Sequence, residues 1–299
     1  MTEEIWTVSK TMNWAQGYLE RHGDPNPRLS AQLLMAHAAN LSRIQVYTHF
    51  DEPLSVQERQ AFKEAMVRRG TGEPIQYITE SAPFRYVSLR VTPDVLIPRP
   101  ETETLVDIAL VEIDRLLALT DSQFQDARAE VNVVDCCTGS GCIACALATE
   151  RSGVSVVATD ISEAALAIAQ ENVDALNVSD RVRLVQTDLL EGLEPQSAQI
   201  VVSNPPYIPD AVMAALPSEV ADYEPHLALS GGLDGLDLFR RLSKGALQVL
   251  CPDGMLVCEL HEDCLDQAAG IMGRDGYLQV RIHQDLTGRP RFVSGIRGA

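Results

Sequence analysis

The chain has 299 residues, room for one large or two ordinary domains, and its 45% hydrophobic content is that of a globular protein with a substantial core. Its 24 basic and 42 acidic residues leave a net charge of −18, which lowers the expectation of a nucleic-acid partner, since such binders usually carry a basic face. No segment approaches an uninterrupted membrane span, and the acidic start Met1-Thr2-Glu3-Glu4 lacks a signal peptide's basic and apolar regions, so a cytoplasmic protein is expected.

Residues 1–83 read as a small helical domain. A first helix is predicted from Thr7 to Arg21, ended by Gly23-Asp24-Pro25. Pro27 suits the first turn of a second helix, Arg28 to Ala39, with Leu29, Leu33 and Ala36 on one face. Ser55-x-x-Glu58 has the form of a capping box opening a third helix, with Phe62 and Met66 sharing a face and Gly70-Thr71-Gly72 stopping it. Residues 84–103 then read as a β-hairpin linker, Tyr86 to Val91 followed by Val95 to Ile97. Pro98-Arg99-Pro100 can continue neither a ladder nor a helix.

Residues 104–299 form the expected second domain. A helix runs from Glu103 to about Leu119, and Thr120 to Glu130 reads as a surface loop. Strands and helices then alternate, the pattern of an α/β fold with a mainly parallel sheet covered on both faces. The predicted strands are Val131–Asp135, Val154–Thr159, Val182–Gln186, Ile200–Ser203 and Met255–Leu260, the last entered through a turn at Pro252-Asp253-Gly254. Helices are predicted from the glycine loop to Glu150, from Ser162 to Leu176 and from Leu236 to Leu250. Tyr277–His283 and Arg291–Gly295 flank Leu286-Thr287-Gly288 and read as an antiparallel end to the sheet.

Four of the seven cysteines cluster at Cys136, Cys137, Cys142 and Cys145. Cys142 and Cys145 make one C-x-x-C pair, but a zinc site needs a second pair or histidines at ligand spacing, and neither is present, so no metal is expected. Both are read as small reduced side chains inside a helix.

Gly139-x-Gly141-x-x-Ala144 stands between a strand and a helix, where glycines let a ligand approach the backbone and free N–H groups face it. Asp160 ends the next strand, 21 residues after Gly139, and can take both hydroxyls of a ribose. Asp188 can meet an adenine amino group with Leu189 beside the ring; a solvated loop acid is the alternative. This much fits a dinucleotide as well as S-adenosylmethionine. Asn204-Pro205-Pro206-Tyr207, at the end of the fourth strand, breaks the tie. An amide nitrogen is a poor nucleophile because its lone pair is delocalised into the carbonyl. The Asn204 side-chain carbonyl and the Pro205 main-chain carbonyl can hold both hydrogens of a planar –NH2 group, two prolines stiffen the turn, and Tyr207 can pack on the held group. Methyl transfer to an amide or amino nitrogen is expected. Glu259 and His261 form a possible acid/base pair, but the preferred reading is a solvated strand end.

With these motifs the chain resembles the protein-glutamine methyltransferases that modify peptide chain release factors, the HemK/PrmC group. Beyond the tetrapeptide, the resemblance rests on Leu96-Ile97-Pro98-Arg99-Pro100-Glu101-Thr102-Glu103, on Glu219-Val220 and Tyr223-Glu224-Pro225, on Gly231-Gly232 with Asp234-Gly235-Leu236, on Pro74-Ile75 with Tyr77-Ile78, and on Asp285-Leu286 with Gly288-Arg289. The resemblance implies a helical substrate-recognition domain, a seven-stranded Rossmann-like methyltransferase domain and S-adenosylmethionine as methyl donor. It implies the glutamine of a Gly-Gly-Gln tripeptide in class 1 release factors as acceptor. Carried over, the cofactor would touch Cys137, Thr138, Gly139, Ser140, Gly141, Asp160, Asp188, Leu189 and Asn204, and the glutamine would be held by Asn204 through Tyr207.

The chain departs from the family's pattern at Cys137 and Glu80, where glycines are usual, at Ser30 and Gln32 in the second helix, and at Pro290. Cys137 is expected not to need a positive φ. An adenine methyltransferase acting on nucleic acid and a ribosomal-protein glutamine methyltransferase remain the alternatives. A monomer without direct nucleic-acid or membrane contact is expected.

Overall fold

The computed structural model describes residues 5–123 and 130–299. The chain up to Ser81 together with Pro217–Tyr223 makes one compact unit, and Ala82–Leu216 with Glu224–Ala299 makes another.

The first unit contains α1 (Val8–Arg21), α2 (Pro27–Ala38), α3 (Arg43–Thr48), α4 (Val56–Gly70) and α5 (Ile75–Thr79). Thr7 caps α1, and the expected capping box at α4 is complete in both directions, Glu58 N–H to Ser55 Oγ at 3.2 Å and Ser55 N–H to Glu58 Oε2 at 2.7 Å. The buried face of α2 is Ala31, Leu34 and Met35 rather than the expected Leu29, Leu33 and Ala36; Leu29 is exposed. Helices α3 and α5, too short to show a period, were not anticipated. Ser42 and Gln45 nevertheless cap α3 reciprocally. Glu80, standing at a usual glycine position, closes α5 at φ +50°, which explains the usual glycine.

A buried ion pair ties this unit together. The Arg69 guanidinium donates to Asp24 Oδ2 at 2.6 Å, to Glu219 Oε1 at 2.8 Å and to the Glu73 carbonyl at 2.8 Å. Asp24 also accepts from Ser30 Oγ at 2.9 Å and from Asn26 N–H at 2.7 Å. Removing one partner of a buried pair leaves the other uncompensated, at a cost of about 3–5 kcal/mol. Arg69→Ala is expected to destabilise this unit by about 3 kcal/mol. Both tryptophans, Trp6 and Trp14, lie in it, so urea unfolding followed by their fluorescence reads the effect. A loss below about 1 kcal/mol would mean that neutral donors alone satisfy Asp24.

The second unit opens with the hairpin β1 (Ala82–Phe84) and β2 (Val87–Leu89). The strand expected at Val95–Ile97 is absent: the segment is irregular, with Val95 and Ile97 buried, because Pro93, Pro98 and Pro100 remove the N–H groups a ladder needs. Then follow α6 (Thr102–Gln123), β3 (Val131–Cys136), α7 (Cys142–Glu150), β4 (Val154–Asp160), α8 (Glu163–Ala175), β5 (Val182–Gln186), β6 (Ala198–Ser203) and the short α9 (Asp210–Met213) and α10 (Ser218–Ala221), α10 belonging to the first unit. The order closes with α11 (Asp237–Val249), β7 (Leu250–Glu259), α12 (Leu265–Asp275), β8 (Tyr277–Gln284) and β9 (Pro290–Arg297). Of the loop expected at 120–130, residues 120–123 continue α6 and 124–129 lie outside the described residues. Helix α12 was not anticipated, although Leu265, Ala268, Ile271 and Met272 carry its period.

The sheet order is β5-β4-β3-β6-β7-β9-β8, parallel from β5 to β7, with β9 antiparallel to both its neighbours. The expected turn at Pro252-Asp253-Gly254 is instead a bulge within β7. Ala198 pairs with Leu250 and Ile200 already pairs with Met255, and Asp253 takes φ +62° in the excess chain. Alternate strand residues serve the two faces. Val133, Val156, Val202 and Val257 meet α6 and α7 on one side, and Val134, Val201, Leu256 and Cys258 meet α11 and α12 on the other.

From β3 the chain winds outward through β4 to β5, then returns to lay β6 on the other side of β3. That reversal makes a topological switch point, and in open α/β sheets ligands bind beyond the carboxyl ends of the strands there.

Candidate active site

Cys136 and Ser203 are register partners at the ends of β3 and β6, held by the Ser203 hydroxyl donating to the Cys136 carbonyl at 2.7 Å. The next residues are Cys137, which opens the glycine loop, and Asn204, which opens the proline turn. Adjacent strands lie about 4.8 Å apart, so the two motifs start side by side.

The loop is built on Asp135. Its Oδ2 accepts from Thr138 Oγ1 at 2.6 Å and from Ala144 N–H at 3.1 Å, joining the start of the loop to the helix beyond it. Burial pushes the Asp135 carboxyl up to about 7, against the pull of those two donors. Gly141 caps α7 at φ +78°, a conformation that favours glycine. Cys137 takes φ +60°, contrary to expectation. The loop must turn sharply off β3, and left-handed backbone at a residue with a Cβ costs about 1–2 kcal/mol.

Asp160, at the end of β4, braces the loop from the side. Its Oδ2 accepts from Gly139 N–H at 2.9 Å and its Oδ1 from Ser162 N–H at 3.0 Å. Burial raises its pKa, and the donors of Ser162, Gly139 and Ile161 oppose this. Each oxygen keeps a lone pair for a hydroxyl. Asp188 is neither free nor merely solvated: its Oδ2 accepts from Arg241 Nη2 of α11 at 2.8 Å. Leu189 is buried behind it, its carbonyl accepting from Thr159 Oγ1 at 2.8 Å.

On the other side, Asn204 Nδ2 donates to Thr102 Oγ1 at 3.1 Å, and Thr102 Oγ1 donates to Glu259 Oε2 at 2.8 Å. The other Glu259 oxygen accepts from Tyr207 Oη at 3.1 Å. Glu259 is 1% exposed, so the expected solvated strand end is wrong: the carboxylate points inward from the end of β7. Burial raises its pKa to about 6, against the donors Thr102 and Tyr207. The Tyr207 phenol is raised by burial and by Glu259, so it stays protonated and donates. His261 turns away towards Asp263, at 3.7 Å.

One cavity gathers most of the expected residues: Cys137, Thr138, Gly139 and Ser140 of the loop, Asp160, Asp188 and Leu189 beyond it, and Asn204 and Pro206 of the turn. Gly141 shapes the loop as helix cap, Pro205 is buried, and Tyr207 stands against Glu259. Thr102, Arg99 and Arg241 also line the cavity and were not anticipated as site residues. Arg99 is held by Glu224 at 2.6 Å, which accounts for both motifs that contain them.

Cys142 is the first residue of α7, yet burial raises both its thiol and that of Cys145, the latter to about 12, so neither is poised for thiolate chemistry. All cysteines are free, and among the described residues no cluster of three His, Cys, Asp or Glu side chains could hold a metal.

The set of groups fits an adenosine cofactor: an acidic strand end for hydroxyls, a loop that lines the cavity from Cys137 to Ser140, and a cavity running on to Asn204.

Two families match the chain, the PrmC N-terminal domain over residues 10–79 and the methyltransferase small domain over residues 112–222. A release factor glutamine methyltransferase from Geobacter sulfurreducens is 39% identical over 99% of this chain and 99% of its own length. One from Rhodopirellula baltica is 38% identical over 97% of this chain and 96% of its own. Among solved structures, the hMettl16 catalytic domain in complex with the MAT2A 3'UTR hairpin 6 has a TM-score of 0.53 at 17% identity, covering 79% of this chain and 82% of that one. That likeness concerns the fold alone.

Proposed function

The chain belongs to the release factor glutamine methyltransferases, and from that premise we propose that it methylates the side-chain amide nitrogen of the glutamine in the Gly-Gly-Gln tripeptide of class 1 release factors. It is an S-adenosylmethionine-dependent enzyme. The observation that carries the site assignment is the register of β3 and β6, which starts the cofactor loop and the proline turn from neighbouring strand ends on one cavity.

When bound, S-adenosylmethionine supplies a methyl group on a sulfonium. The chain's own residues do the rest by positioning. Backbone from Cys137 to Gly141, with Asp160 and the Asp188–Leu189 turn, holds the cofactor. Asn204 Oδ1 and the Pro205 carbonyl accept the two hydrogens of the glutamine amide and turn its nitrogen face towards the methyl. Both acceptors also favour the positive charge that grows on that nitrogen. The methylated amide loses its extra proton to water, so no side chain is needed as base. Orientation of this kind is worth roughly 7–11 kcal/mol relative to free encounter.

The helical unit is proposed to recognise the release factor. On this reading the enzyme works as a cytoplasmic monomer and needs no direct contact with nucleic acid. No described helix is long and apolar enough to cross a membrane. Incubation with a release factor and S-adenosylmethionine should add a single methyl to the Gly-Gly-Gln peptide, read by tandem mass spectrometry. A methyl on any other residue would overturn the acceptor assignment.

Asp160→Ala is expected to weaken S-adenosylmethionine binding about ten- to a hundred-fold, the worth of a charged hydrogen bond of about 1.5–3 kcal/mol. The braces to Gly139 and Ser162 are lost with it. Titration calorimetry showing unchanged affinity would refute the ribose contact.

A further inference from the structure

We infer that Thr102 and Glu259 are positioning residues that fix which way the Asn204 amide faces, and so present its oxygen to the acceptor. The inference rests on the assignment of Asn204 as holder of the acceptor amide.

The protons available around Thr102 fix the orientation. An ionised carboxylate only accepts hydrogen bonds, and a threonine hydroxyl has one proton to give. Thr102 Oγ1 lies 2.8 Å from Glu259 Oε2, so its proton is committed there. Towards Asn204, 3.1 Å away, the hydroxyl can then only accept. The Asn204 nitrogen must face Thr102, and its oxygen must face the other way. Among the described residues that oxygen accepts no hydrogen bond. A flipped Asn204 would set its oxygen against a hydroxyl with no proton to offer and turn an N–H pair towards an acceptor that also brings N–H groups.

The other Glu259 oxygen accepts from Tyr207 Oη at 3.1 Å, so one buried side chain braces both ends of the Asn204–Tyr207 turn. Three elements converge here. Thr102 begins α6, Asn204 and Tyr207 follow β6, and Glu259 ends β7. The charged groups facing Glu259 are Arg291 from β9 and Glu101 just ahead of α6, beside its donors Thr102 and Tyr207.

The relay depends on the charge of Glu259. A protonated carboxyl could donate to Thr102, free the threonine proton for the Asn204 oxygen, and stabilise the flipped amide. Burial lifts the Glu259 carboxyl to about 6, within reach of a pH titration. The productive orientation is therefore present above that pH and lost as pH falls through it.

The test measures kcat with saturating labelled S-adenosylmethionine and unmodified release factor, with cofactor affinity measured separately by calorimetry. Thr102→Val removes the relay, and kcat is expected to fall about a hundred-fold, the effect of a small misplacement at a reacting centre. Cofactor affinity should stay within about two-fold, since the Asp160 brace is untouched, and Thr102→Ser, which keeps the hydroxyl, should return kcat to within about three-fold of the parent. Thr102→Val with near-parental kcat, or Thr102→Ser as impaired as Thr102→Val, would overturn the inference.

Should Thr102→Val fail to fold, the pH profile decides. The parent's kcat should fall below about pH 6, and Glu259→Gln, which cannot titrate, should lose that limb. An acid limb unchanged in Glu259→Gln overturns the inference. Inactive Asn204→Ala beside active Thr102→Val would defeat only the relay, whereas active Asn204→Ala would defeat the site assignment itself.

Discussion

Asn204→Ala is expected to abolish most turnover, by about a hundred- to a thousand-fold in kcat, while S-adenosylmethionine still binds. The size follows from the role proposed for it: one of two acceptors aimed at a nitrogen whose positive charge exists only as the methyl arrives. An interaction that strengthens towards the transition state lowers kcat when removed, whereas one equal in both states would raise only KM. The loop from Cys137 to Gly141 and its brace at Asp160 do not depend on Asn204, so binding should persist. Single-turnover kinetics with calorimetry on the same preparation would check both halves. A variant within a few-fold of the parent would remove Asn204 from the chemistry.

Gly231→Ala should damage catalysis almost as much without touching substrate or cofactor. A Cβ at Gly231 would sit 2.7 Å from the main-chain carbonyl carbon and Cα of Tyr207 and 2.8 Å from the Cα of Gly235. All three are backbone atoms and cannot rotate away. The chains are also pinned together, Gly231 N–H donating to the Ile208 carbonyl and Ile208 N–H to the Leu229 carbonyl, both at 2.9 Å. The added methyl must therefore displace the Asn204–Tyr207 turn. A shift near 1 Å at a reacting centre costs about a hundred-fold in rate, and overpacking costs a further 1–3 kcal/mol or so of stability. Parental kcat in Gly231→Ala would show that the turn tolerates such a shift.

The same contact explains why Gly231-Gly232 and Asp234-Gly235-Leu236 were visible in the sequence as a motif without visible chemistry. Their task is to let one backbone lie against another, and such room belongs to a pair of segments distant in sequence. The parallel strands and their helices were legible because Val-rich runs alternate with capped amphipathic stretches, as at Val154–Asp160 and Ser162. The motifs at Gly139, Asp160 and Asn204 were legible because each sits at a strand end that its own neighbours announce.

Glu259 was misread for the opposite reason. An acid at a strand end looks solvated until the start of α6 and the Tyr207 ring are seen to cover it, and both lie far away in the chain. Thr102 gave no sign of its own, since its hydroxyl acquires a role only between Glu259 and Asn204. The Asp188–Arg241 pair was hidden likewise, joining the turn after β5 to α11. Cys137 was misread too: the glycine usual at its position was the sign of a positive φ, and the expectation that cysteine could stand there without one is overturned by φ +60°. The apolar residues of Val95–Ile97 suggest a strand, but Pro93, Pro98 and Pro100 deny the segment a ladder.

On the proposed reading this cavity delivers a methyl group to one glutamine of a release factor. The most direct test offers labelled S-adenosylmethionine and the enzyme a purified unmodified release factor, and in parallel the same factor with its Gly-Gly-Gln glutamine changed to alanine. Label on the first and not on the second is the predicted result. Equal label on both, or label on neither while the cofactor still binds, would contradict the claim and turn attention to an amino group on a nucleic acid.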